Sequence, residues 1–230
     1  MTIAVFHGSP RKGNTYKATA VFLDQLSKQG DVRVSEFFLP KAMPEFCTGC
    51  QLCMGHPFGL CPHSQYVSPI LDAIVGADAL LFTTPHYGNT MSGCMKNLLD
   101  HLDFLTMNVS PQAEVFQKKA FILTTGAGSA AAIRHIESFL KNWGINRVYS
   151  LGLRMFTNKW DMMPAVRQVR FENRLRRAAR GFYRAPIGRP YLSTVFMYHM
   201  FKFTLKKYVG EGNYPYENWK DKGYFEKRPF

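Results

Sequence analysis

Short apolar runs alternate with amphipathic stretches through the first two thirds of this chain, and that alternation narrows the fold more than any other feature. Thr2–Phe6, ending at Gly8, reads as a buried strand, and Asn14–Lys28 then places Ala18, Val21, Phe22 and Leu26 at helical spacing. Val32–Phe38, Ala79–Thr83, Ala120–Thr124 and Val148–Leu153 read as four further strands. Between them, Ile70–Val75, Met95–Leu105 and Ala130–Trp143 read as helices, the last stopped by Gly144. Parallel neighbours need a crossover, so such a chain predicts an α/β parallel sheet covered on both faces. Five strands suit the doubly wound order 2-1-3-4-5, which binds its ligand beyond the carboxyl ends of the strands.

The remainder changes character. Asp161–Tyr183 reads as a long basic helix, Tyr191–Leu205 as an aromatic and Met-rich helix, and residues 212–230 as an extended aromatic arm. The expected division is a nucleotide-binding domain over 1–183 and an arm over 184–230, packed on that domain or on a second subunit. The net charge of +13 is unevenly placed: residues 1–149 hold 12 Lys+Arg against 10 Asp+Glu, residues 150–230 hold 17 against 6. A basic helix bearing Arg167, Arg170, Arg174, Arg176, Arg177, Arg180 and Arg184 suits nucleic acid, acidic lipid, a dinucleotide phosphate, or simply a solvated face. No helix-turn-helix, zinc-finger or RNA-binding signature accompanies it, so no nucleic-acid partner is expected. The N-terminus, MTIAVFHGSP, reads as a strand entering a loop rather than a signal peptide, and no apolar run has the length of a membrane span. A cytoplasmic protein with little membrane contact is the expectation.

Gly8-Ser-Pro-Arg-Lys-Gly13-Asn14-Thr15 joins the first strand to the first helix. Such a loop offers backbone N–H groups and a helix N-terminus to an anion. Ser9, Asn14 and Thr15 add short polar side chains, Arg11 adds a charge, and Gly13 lets the main chain approach. The spacing satisfies G-x4-G, but Asn14 stands where a nucleotide P-loop has its lysine. That argues against an ATPase and for a phosphate monoester held without a metal.

Four of the five cysteines fall within fifteen residues, as Cys47-x2-Cys50-x2-Cys53-x7-Cys61 followed by Pro62. The surrounding stretch, 44–66, is rich in Gly and Pro and aperiodic, a loop that needs something to organise it. In a reducing compartment clustered thiols suit metal or redox chemistry better than disulfides. Three ligands at x2 spacing with a proline after the last resemble a bacterial ferredoxin run, which ranks a [4Fe–4S] cluster above zinc, whose ligands usually come as two separated pairs. Reduced thiols with no metal are the third reading. Cys94 reads as a small buried residue.

The loop GSPRKGNT after a first strand resembles the FMN-phosphate loop of the NAD(P)H-dependent FMN reductase group in the flavodoxin-like superfamily. A second stretch, from Thr84-Pro85-His86-Tyr87-Gly88-Asn89 through Ser92-Gly93 to Lys96 and Asp100, is similar to that group's strand-three loop. A third, Thr125-Gly126-Ala127-Gly128, resembles the loop closing over the flavin ring. Together they cover about residues 1–155. The resemblance implies a flavodoxin-like fold, with FMN bound by Ser9, Arg11, Gly13, Asn14, Thr15, Pro85, Tyr87, Gly88, Asn89, Thr125, Gly126 and Gly128. Backbone N–H groups aimed at the N1–C2=O edge would stabilise reduced flavin, and no acid–base side chain is essential. Within the superfamily, iron–sulfur flavoproteins carry a compact cysteine motif after strand two, and Cys47, Cys50, Cys53 and Cys61 match it by position. That implies a [4Fe–4S] cluster near the flavin of a neighbouring subunit, hence a homodimer or larger assembly. Asp100-His101 departs from the Asp-Arg pair usual in the group. His86 stands where an aliphatic residue is common; a lone loop histidine more often packs than binds.

Three functions follow. The first is an FMN oxidoreductase with a cluster, fed by NAD(P)H or a ferredoxin. The second is a plain NAD(P)H:flavin or quinone reductase with structural cysteines. The third is an electron carrier without turnover, docking to an acidic partner through the basic helix.

Overall fold

The computed structural model describes residues 1–230 apart from 158 and 188. Five strands, β1 (Thr2–His7), β2 (Arg33–Phe38), β3 (Ala79–Pro85), β4 (Lys119–Gly126) and β5 (Arg147–Arg154), form one parallel sheet in the order β2-β1-β3-β4-β5. This is the flavodoxin-like order that the alternation predicts. Every residue of β3 is buried, and all of β4 but its last, and the middle of each central strand is a continuous apolar run, Ala79–Phe82 and Ala120–Leu123. Side chains then sort by the period of two. Ala4, Phe6, Leu80, Phe82, Ala120 and Ile122 face one core layer, while Ile3, Val5, Leu81, Phe121 and Leu123 face the other.

The first layer is covered by α2 (Ser64–Gly76), α3 (Gly93–His101) and α4 (Ala130–Asn142). The second is covered by α1 (Asn14–Ser27) and α5 (Ala165–Arg184), through Phe22 and Leu26 on one helix and Phe171, Leu175 and Phe182 on the other. Lys119, buried at the start of β4, donates to the carbonyls of Phe182, Tyr183 and Ala185 at 2.7, 3.0 and 2.7 Å. It thereby satisfies the terminal acceptors of α5 and fixes that helix to the sheet's amino edge.

The arm departs from its sequence reading in one respect. Residues 212–230 were expected to be extended, yet α7 (Tyr214–Asp221) follows α6 (Leu192–Thr204) there. Pro215 in its first turn suits a helix start, a signal that the aromatic composition masked. Trp219 Nε1 donates to Met107 O at 2.8 Å and Lys222 Nζ to Pro111 O at 2.8 Å, so the arm lies back on its own chain. Tyr198, Leu205, Trp219, Tyr224 and Phe225 form a small separate core beneath it.

Candidate functional site

Four strand ends meet at one cleft. The ladder continues one step past each strand: Gly8 N donates to Thr83 O (2.7 Å), His86 N to Thr125 O (2.8 Å) and Met155 N to Gly126 O (2.9 Å). Those bonds hold the loops after β1, β3, β4 and β5 side by side around a cavity of about 730 Å³. Ser9, Arg11, Gly13, Asn14, Thr15, Pro85, Tyr87, Thr125 and Gly126 all line it. The phosphate-type loop enters α1 through Gly13, with no side-chain cap, so among the described residues the first-turn N–H groups have no partner and can receive an anion.

The walls are tied across the sheet. Thr15 Oγ1 and Thr125 Oγ1 share a buried hydrogen bond of 2.7 Å, joining the start of α1 to the end of β4. Arg11 Nη2 donates to the Tyr87 hydroxyl at 3.0 Å, joining the first loop to the third-strand loop. Beneath them Ser92, buried at the N-cap of α3, donates from Oγ to Gly8 O at 2.5 Å and accepts from Met95 N at 3.3 Å. Thr84 Oγ1 donates to the same Ser92 oxygen at 3.2 Å. One hydroxyl thus sets the height of two loops, the signal being the Ser-Gly ahead of a helix.

Three expected residues lie outside the lining. Gly88 and Asn89, at φ 52° and 65°, form a two-residue turn between Tyr87 and Thr90, whose N–H and C=O groups pair at 2.9 and 3.0 Å. They shape the turn that presents Tyr87. Gly128 backs His86 instead: a Cβ there would sit 3.0 Å from the imidazole. Gly126, at φ 146°, is similarly pressed against His86, with room for no side chain. His86 therefore both packs and lines the cavity. Lys12, Ala127, Met155, Thr157 and Lys159 complete the wall and were not among the expected site residues. Asn14 Nδ2 donates to Thr157 O at 3.0 Å, and the fifth strand's carboxyl end was the available clue.

The cavity's dimensions and lining fit FMN. Its buried Asn14 Oδ1 has no donor among the described residues, an acceptor that a ribityl-type hydroxyl would satisfy. The N–H groups of His86 and Tyr87 are already committed, whereas that of Ala127, which lines the cavity, carries no hydrogen bond among the described residues and is available to a ring edge.

The cysteine loop sits beside α3 and is held by it at both ends. Cys47 N donates to Asn97 Oδ1 at 3.0 Å, and Asn97 Nδ2 donates to Glu45 O at 2.8 Å. One turn on, His101 Nδ1 lies 2.9 Å from Asn97 O and its Nε2 2.9 Å from His63 Nδ1. His101 Nδ1 donates to that carbonyl, leaving Nε2 to accept from His63; burial keeps His101 below the usual histidine range, in the neutral form. So the histidine at the unusual position anchors the cysteine loop, while Lys96 pairs with Asp100. Phe58 stacks on Phe104 at 4.7 Å between ring centres.

Cys47 and Cys50 are exposed, and Cys53 and Cys61 half-buried. Burial first, and the neighbouring Cys61, Cys47 and Cys50 thiols as well, push the Cys53 thiol up to about 11. The donor set has the chemistry of an iron–sulfur site, but among the described residues no three His, Cys, Asp or Glu side chains are gathered at ligand distances. Cys94 is half-buried against the core, as a small packing residue.

A doubly wound sheet in the order β2-β1-β3-β4-β5, with a cavity at the carboxyl ends of β1, β3, β4 and β5, defines a flavodoxin-like fold. Residues 1–161 match the family described as NADPH-dependent FMN reductase, and the chain belongs to that family of oxidoreductases. It is 27% identical over 187 residues to an iron-sulfur flavoprotein of Clostridioides difficile (strain 630), covering 79% of this chain and 78% of that protein. An iron-sulfur flavoprotein of Archaeoglobus fulgidus is 26% identical over 160 residues, 67% and 71% of the two chains. Among solved structures, an NAD(P)H:quinone oxidoreductase from Methanothermobacter marburgensis superposes with a TM-score of 0.63 at 16% identity, over 80% of this chain and 98% of that one. An FMN-dependent NADH-azoreductase from Bacillus anthracis, in complex with FMN, gives 0.58 at 10% identity over 79% and 99%. These two show the fold. No described helix is long and apolar enough to cross a membrane.

Proposed function

We propose that this chain is an NAD(P)H-dependent FMN oxidoreductase whose cysteine loop holds a [4Fe–4S] cluster. The observation that carries it is the convergence of Ser9–Thr15, Pro85–Tyr87 and Thr125–Gly126 on one cavity at the carboxyl ends of the strands. FMN, when bound, supplies the hydride and electron chemistry. The free N–H groups at the start of α1 receive the phosphate, with Ser9, Asn14 and Thr15 adding polar contacts and Arg11 offsetting its charge. Pro85 and Tyr87 bound one edge of the ring pocket, Thr125 and Gly126 the other. Ala127 offers its N–H group to charge that develops on the ring edge.

Cys47, Cys50, Cys53 and Cys61 are the proposed ligands of the cluster, which would exchange electrons with the flavin. Supporting this are four thiols in one anchored loop and the names of the two relatives. Pyridine nucleotide or a ferredoxin is the proposed donor, a quinone or flavin the acceptor, and a homodimer in the cytoplasm the working form. The ungrouped thiols favour a second reading, a flavin or quinone reductase with structural cysteines.

The deciding experiment is anaerobic purification with FMN, iron and sulfide quantified per chain, followed by NAD(P)H titration. FMN near one per chain, with about four irons and four sulfides, supports the proposal. FMN without iron supports the second reading, and a chain that takes up no FMN refutes both.

A further inference from the structure

A second cavity, of about 600 Å³, adjoins the flavin-type cleft and is lined by Arg154, Arg167, Arg170 and Arg174 together with Ser129 and Phe156. We propose that it binds the phosphorylated adenylyl end of NADPH, through the 2′-phosphate and the pyrophosphate, and so selects NADPH over NADH. This rests on the dinucleotide-dependent reading above.

The charge is the first argument. None of the four arginines has a salt bridge among the described residues. The acids nearest in sequence are engaged elsewhere, Glu172 with Arg176 at 2.8 Å and Asp161 with Lys17 at 2.5 Å. Arg167, Arg170 and Arg174 follow one another at three and four residues, on one face of α5, where like charges repel. Arg167 also sits in the first turn, where the helix dipole disfavours cations. Such an arrangement is relieved by a bound polyanion, and guanidinium groups match phosphate oxygens in pairs. Ser129 adds a hydroxyl at the start of α4, whose N-cap makes no side-chain bond.

Shape and position give the second argument. A single phosphate would leave most of this volume empty. Phe156 is 70% exposed, with the Arg167 guanidinium 4.8 Å from its ring centre, which offers a purine a face to stack on. Successive residues after β5 serve the two cavities in turn: Arg154 and Phe156 line this one, Met155 and Thr157 the flavin-type cleft. After β4, Ala127 lines the cleft and Ser129 this cavity. The same two segments therefore line both cavities, so one dinucleotide can place its redox end over one and its phosphates in the other.

The test is calorimetric titration of the FMN-loaded protein with 2′,5′-ADP, 5′-AMP and inorganic pyrophosphate. It is repeated on Arg170→Gln, Arg174→Gln and, as an equal change of charge elsewhere on the helix, Arg180→Gln. The expectation is that 2′,5′-ADP binds about tenfold or more tightly than 5′-AMP, that Arg170→Gln and Arg174→Gln each weaken it about tenfold, and that Arg180→Gln changes it less than about twofold. KM for NADPH should rise in the two cavity variants by a larger factor than KM for NADH, which shares the pyrophosphate but lacks the 2′-phosphate. Equal binding of the two nucleotides overturns the proposal, as does pyrophosphate binding as tightly as 2′,5′-ADP or an Arg180→Gln effect as large as the others. FMN titration of each variant separates the readings. Normal FMN uptake without 2′,5′-ADP binding sinks only this site, whereas loss of FMN uptake by the unmodified protein sinks the flavin reading and the dinucleotide assignment with it.

Discussion

The cleft over β1, β3 and β4 and the cysteine loop beside α3 are built by opposite means. In the cleft the main chain does the placing: strand-end hydrogen bonds of 2.7 to 2.9 Å align the loops, and the Thr15–Thr125 bond and Ser92 lock them. In the cysteine loop, side chains of α3 fix the two ends, and the thiols between them stay exposed or half-buried and ungathered. A site borne by strand ends is finished by folding. The four thiols of the proposed cluster site would repel one another as thiolates, and such a site would be finished only by the metal that draws them together. The two regions nevertheless share α3, whose first turn supports the cleft and whose last turn holds the loop.

The largest effect should separate them outright. Cys53→Ser should take iron from about four per chain to none, while FMN affinity and melting temperature hardly change. If FMN uptake falls in step with iron, the two regions are one folding unit and the contrast fails.

Ser92→Ala attacks the cleft from below. It removes the α3 cap and the bond to Gly8 O from a fully buried site, at a cost of about 2–3 kcal/mol. Thermal unfolding should shift down by roughly 4–12 °C, with weaker FMN binding. An unchanged melting temperature would show that the loops hold their height without it. Arg11→Gln should act on binding alone. Its bond to Tyr87 is exposed and worth little to stability, whereas losing the charge beside the phosphate should weaken FMN about tenfold. Equal FMN affinity in that variant would remove Arg11 from the phosphate site.

The same contrast explains what the sequence disclosed. Strand order and the cleft's main loops were legible because each is a local signal: an apolar run, then Gly8 to Thr15, or Thr84 to Asn89, or Thr125 to Gly128. The elements that support the cysteine loop were not, because Asn97 and His101 lie roughly fifty and forty residues from the groups they hold. Thr157 and Lys159 were missed for the related reason that their loop carries no glycine signature, though it stands at a strand's carboxyl end like the others. In the arm, aromatic residues suggested extended chain, and tertiary packing of Trp219 selected a helix.

The smallest expected effect concerns pH. His7, buried at the cleft end of β1, lies 2.7 Å from Glu36 and stacks on Phe38. Burial lowers its pKa below 6.5, although the hydrogen bond and charge of Glu36 oppose the shift. Between that lowered value and 6.5 the unfolded chain binds more protons than the folded one, so stability rises with pH. The contribution is complete above 6.5 and is lost as pH falls through that window, shallowly because Glu36 welcomes the protonated ring. His101, lowered by burial too, adds a slope of the same sign from the cysteine side. Urea unfolding at about pH 7.5 and about pH 5.5 should therefore show a loss in acid that His7→Gln reduces and His101→Gln reduces independently. An acid loss that either variant alone abolishes would mean that the two sides titrate as one, and α3 would then couple the regions more tightly than the hydrogen bonds at its two ends require.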